Sequence, residues 1–110
     1  VITFEIAGRQ YEAVSFLNAG EPSVNGDTMV ARTEGENGGG LGEDEGLFLW
    51  EHRSEWPAEL KRYYLVCTKW RVPGPRDVRC FDWDDGGWYQ DWLSLDGRWD
   101  GTRLVLRRRM

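Results

Sequence analysis

Four aspartates, three tryptophans, a tyrosine and a phenylalanine fall within twelve residues, "FDWDDGGWYQDW", from Phe81 to Trp92. Carboxylates at that density suit a metal ion or the acid–base pair of a glycosidase, and indole faces stack on sugar rings. Spacing argues against calcium. Asp82 and Asp84 fit the first and third ligands of a calcium loop, but Gly86 and Leu93 stand where the fifth and twelfth must supply oxygen. Glycoside hydrolysis would draw on Asp82, Asp91 and Asp100, with two carboxyls roughly 5–10 Å apart. A chain of 110 residues leaves little for the walls of the deep cleft that chemistry needs. A structural reading explains most of the stretch: Asp84-Asp85-Gly86-Gly87 supplies the left-handed positions of a tight hairpin, and cross-strand aromatics hold its arms together.

Other chemistry is thinner still. The single imidazole, His52, stands in "EHRSEW" with no cysteine near it in sequence, and reads as a surface residue at a helix end. No CxxC or HxxxH spacing exists for zinc. "GENGGGLG" has the glycines of a phosphate loop, but no Lys-Ser/Thr follows, and the next helix opens on Glu43, Asp44 and Glu45, which repel phosphate. The arginines of "RLVLRRRM" suit an edge strand better than a nucleic acid, since the chain carries a net charge of −5. No catalytic residue, metal or cofactor is expected, and nucleic-acid binding is disfavoured.

The aromatic count is the least ordinary feature. Seven Trp, four Tyr and four Phe would each bury roughly 150–250 Å², more than one sheet face of a 110-residue domain hides easily. Some should line a groove or an interface, and the candidate binding surface is Trp83, Trp88, Tyr89, Trp92 and Trp99 with Asp82 and Asp91.

Those residues need a frame. "VITFEI" and "QYEAVSF" alternate as strands around the turn at Ala7-Gly8-Arg9. "LNAGEPSVNG" reads as a loop. Asp27 caps a short helix "TMVARTE", and Gly35 to Gly42 reads as a flexible loop. A second helix begins near Glu43, is anchored by Leu47, Phe48 and Trp50, and stops or turns at Pro57. "YYLVCTKW" is apolar on both faces and so should be a central strand. The 81–92 hairpin, a turn "DGRWDG" and a last strand "TRLVLRRR" complete the order β-β-α-α-β-β-β-β. The expected fold is α+β, one domain over 1–110, a mostly antiparallel sheet with short helices packed on one face. Cys67 and Cys80 lie in strands either side of one connection, where they could face each other. Without an export signal they are expected as free, packed thiols in a cytoplasmic protein.

Charge is lopsided. Residues 1–51 hold ten acids against Arg9 and Arg32 (−8), and residues 52–110 hold nine acids against twelve bases (+3). The plain expectation is that the halves neutralise each other within the fold, although such a dipolar chain also suits head-to-tail pairing.

The run from "GDTMVAR" through "LGEDEGLFLWEH", "WPAELKRYYLVCTKW" and "WLSLDGRW" to "RLVLRRR" resembles small uncharacterised bacterial proteins of the kind carried on phages or integron gene cassettes. The resemblance implies a cytoplasmic single-domain product of a mobile element and carries over no site. The sequence therefore points to a non-enzymatic protein-interaction domain that uses a tryptophan-rich sheet face to pair with itself, as a homodimer, or with another protein. The alternatives are a small ligand or carbohydrate in an aromatic groove, and an acidic decoy of a nucleic-acid-binding surface built on residues 34–51. No membrane partner is expected.

Overall fold

The computed structural model describes residues 1–34, 39–71 and 74–109. Alternation builds the first hairpin, β1 (Ile2–Ile6) against β2 (Arg9–Val14), turned at Ala7 and Gly8 with φ of 49° and 82°. β3 (Ser23–Asn25) runs into α1 (Gly26–Thr33). α2 (Glu43–Glu51) gives way to two short 3-10 turns, Arg53–Glu55 and Ala58–Arg62. Then come β4 (Tyr64–Cys67), β5 (Asp77–Asp84), β6 (Gly87–Ser94), β7 (Arg98–Asp100) and β8 (Arg103–Arg108). Six strands form one sheet in the order β1-β2-β8-β4-β5-β6, antiparallel except where β4 runs parallel to β8. β3 and β7 pair as a separate ribbon. The fold is α+β with a mostly antiparallel sheet, and β4 is central, as its two apolar faces require. No helix among the described residues is long and apolar enough to cross a membrane.

The helices do not share a face, contrary to the sequence expectation. Leu65, Phe81, Leu104 and Leu106 pack with Leu49 of α2 in one core. Their strand neighbours Val66, Val78, Cys80 and Val105 pack with Met29 of α1 and Trp99 of β7 in another. Central strands that are apolar on both sides need a cover on both sides, and the chain supplies one helix to each.

Local signals also lost to burial at two places. The expected loop "LNAGEPSVNG" contains β3, and the expected turn "DGRWDG" contains β7, because Val24 and Trp99 sit opposite each other and both are buried. The helix cap is Asn25 rather than Asp27: its side chain accepts from the Thr28 N–H at 2.8 Å, while Asp27 lies within the first turn and pairs with Arg76. Of the glycine-rich segment expected to be flexible, residues 35–38 lie outside the described residues, while Gly39, Gly40 and Leu41 are buried.

Cys67 and Cys80 are free, buried and in different cores. The register sets Cys67 opposite Arg79 and Cys80 opposite Val66, so the two thiols point to opposite faces rather than toward each other. Burial pushes both up, Cys80 to about 12. Three ion pairs join the acidic first half of the chain to the basic second half, Glu12–Arg107, Asp27–Arg76 and Glu45–Arg108, and an excess of negative charge remains.

Candidate functional site

The β5–β6 hairpin turns through Asp85 and Gly86, both left-handed at φ 47° and 85°. Its register fixes two faces by simple alternation. Trp83 opposite Trp88, Phe81 opposite Gln90 and Arg79 opposite Trp92 face α2 and the 3-10 turns; Asp82 opposite Tyr89 and Cys80 opposite Asp91 face the other way.

On the first face the indoles interlock. Trp88 meets Trp83 edge-on at 5.6 Å between ring centres and 76° between planes. Trp56, carried in by the chain reversal between the two 3-10 turns, meets Trp88 edge-on at 4.7 Å and Phe81 at 5.4 Å. Lys61 holds its ammonium 3.9 Å from the centre of the Trp83 ring. Arg53 lies 4.3 Å from the Trp50 ring centre and donates to the Trp50 carbonyl at 2.9 Å. Between the hairpin end and the turns opens a cleft of about 480 Å³, walled by Trp56, Trp83 and Trp88 and rimmed by Glu51, Arg53 and Lys61. Trp56 is buried, while Trp83 and Trp88 are half-buried and present surface to the cleft. That volume falls within the ordinary range for small-molecule sites.

The remaining candidates go elsewhere. Trp92 lies on the cleft face but is spent on Arg79, whose guanidinium sits 3.8 Å from its ring centre and 4.9 Å from that of Trp70. Trp99 is fully buried in the second core and belongs to no surface, so its candidacy is withdrawn; its ring meets Phe16 edge-on at 6.3 Å. Tyr89 is 51% exposed on the opposite face of the sheet, beside Asp82 and Asp91. Those two carboxylates are diagonal neighbours across the hairpin. Partial burial, a hydrogen bond with Asp91 and the charges of Asp91 and Asp84 together raise Asp82 to about 6.

The separation decides the chemistry. The Asp82 and Asp91 side chains leave the hairpin on the face opposite the indoles, so the pair does not face a ring held between them. Asp100 lies on β7, held by the Thr102 N–H at 2.9 Å and its hydroxyl, which keep its carboxyl below the usual range. His52 is engaged by Glu55 at 2.7 Å and packs on Phe48 at 4.7 Å between ring centres. Among the described residues no group of three or more His, Cys, Asp or Glu side chains is placed to hold a metal ion.

The sequence pointed to Trp83 and Trp88 but missed Trp56 and Lys61. The available signal was the Trp56-Pro57 pair just after the first 3-10 turn: a residue before proline leaves the helical region, and Trp56 is extended there, which frees its indole to meet the hairpin. No protein-family model, curated protein or solved structure matches this chain.

Proposed function

We propose that this protein is a non-enzymatic binding module and that its site is the Trp56–Trp83–Trp88 cleft, which takes a sugar ring. The observation that carries the reading is the cleft itself: Trp56 and Trp83 each set edge-on to Trp88, at 70° and 76°, beside about 480 Å³ of open space. A sugar presents apolar C–H faces to such walls and a hydroxyl rim to polar neighbours. The rim here is mixed, with one acid (Glu51) and two cations (Arg53, Lys61). Both cations already rest on indole faces. A neutral polyhydroxylated ligand suits that balance better than a multiply charged one.

The acidic-decoy reading loses support because Glu45, at the centre of the acidic segment, is engaged internally by Tyr11, Arg9 and Arg108. A face-to-face protein contact loses support because only Val1, Leu47, Tyr64 and Tyr89 are exposed large apolar side chains among the described residues.

Tryptophan fluorescence, followed while neutral oligosaccharides of differing ring stereochemistry are titrated, tests the proposal. A saturable response to at least one sugar, lost in Trp83→Ala and kept in Trp92→Phe, is the expected result. No response across the panel, or a response that survives Trp83→Ala, removes the cleft from consideration.

A further inference from the structure

β6 is an edge of the six-stranded sheet, and its outer side carries a register of its own. In a hairpin closed by a two-residue turn, the pair flanking the turn is hydrogen-bonded, and bonded and non-bonded pairs alternate from there. Asp84 and Gly87 flank the turn here. Tyr89, Asp91 and Leu93 therefore direct their backbone groups at β5, while Trp88, Gln90 and Trp92 direct theirs outward. No described backbone group outside the hairpin bonds to these three.

The run Trp88-Tyr89-Gln90-Asp91-Trp92 is complementary to itself about its centre. Laid antiparallel on a second copy with Gln90 opposite the partner's Gln90, it sets Trp88 against the partner's Trp92 and Tyr89 against the partner's Asp91. Every outward backbone group in the run then finds a mate, about six N–H···O bonds in all. The phenol of Tyr89 donates to a carboxylate, which answers the single charge in the strand. A register centred on Asp91 opposes like charges at the axis. Centring on Trp88 or Trp92 shortens the overlap. The strand also lacks the usual guards of an edge, having no Pro, Lys or Arg. The opposite edge, β1, is shorter and exposes Thr3 and Glu5.

We propose that two copies of this chain join through β6 about a two-fold axis at Gln90, making one continuous sheet from two six-stranded ones. The partner's Trp92 then stands beside Trp88 and lengthens the aromatic wall of each cleft. The inference does not depend on what the cleft binds.

Molar mass by light scattering or sedimentation at roughly 100 µM tests it on the wild type, Gln90→Asp and Gln90→Pro. Gln90→Asp opposes two charges at the axis. Gln90→Pro deletes an outward donor that β5 does not use, so the hairpin keeps its ladder. The expected result is a dimeric wild type and a monomeric Gln90→Asp with unchanged circular dichroism, and Gln90→Pro should agree if it folds. A monomeric wild type overturns the proposal, and so does a Gln90→Asp variant that remains dimeric. Saccharide titration of the monomeric variant keeps the two readings apart, since its cleft residues are untouched.

Discussion

Tyr11 donates its hydroxyl to Glu45 at 2.5 Å and so ties β2 to the first turn of α2. Arg9 at 3.1 Å and Arg108 at 3.0 Å hold the other oxygen of the same carboxylate. The Tyr11 residue is fully buried, and burial together with the Glu45 bond pushes its phenol far above the usual range. Glu45→Ala leaves that hydroxyl without its acceptor and should cost about 1–3 kcal/mol. Tyr11→Phe removes donor and need together and should cost less. Urea denaturation of both single variants and the double variant measures the coupling; strictly additive losses would show that the contact contributes nothing of its own.

Asp82 gives stability a pH dependence of unusual sign. Its folded pKa, about 6, lies above that of an unfolded aspartate, so the folded state binds the proton more tightly. The contribution is fully present below about pH 4 and is lost as pH rises through about 6. Asp82→Asn should flatten that part of the profile and raise stability at pH 7 relative to the wild type. Melting curves from pH 4 to 7.5 decide it, and an unchanged slope in the variant would place the titrating group elsewhere.

Gly46, on the inner side of α2, touches Trp70. A methyl group added there would come within 2.6 Å of the indole carbon Cε3 and 2.7 Å of Cζ3. Trp70 is buried, with Arg79 over its ring and Phe81 edge-on at 6.3 Å. Gly46→Ala gains helix propensity but should lose about 1–3 kcal/mol to overpacking. A variant as stable as the wild type in denaturant would mean that the Trp70 ring shifts freely.

Local chemistry made part of the molecule legible. Asp85-Gly86 declared its hairpin because few dipeptides accept two left-handed residues in succession, and "YYLVC" declared a central strand by being apolar on both faces. The helix positions follow from the same local rules to within a few residues. What sequence could not supply is placement across distance. Trp99 sits in a segment whose Asp and Gly all signal a turn, and only Val24, brought up by the second layer, makes it a buried strand. The aromatic pair Trp83–Trp88 was visible because one hairpin contains both. Trp56 and Lys61 reach the cleft from irregular turns with no periodicity to announce which way they point. The split of Asp82, Tyr89 and Asp91 from the tryptophans follows from alternation alone, once a second layer on each face gives both sides meaning.

β8 lies between β2 and β4, and it is the last strand to be made. Until it emerges, the β1–β2 hairpin and the β4–β5–β6 meander share no sheet. Each then exposes a bare edge and half of an unfinished core. Both cores lack strand residues until residues 103–108 are present, Leu104 and Leu106 in one and Val105 in the other. Such long-range closure is slow compared with hairpin formation. The nascent chain therefore spends its most vulnerable interval with the unguarded β6 edge already formed.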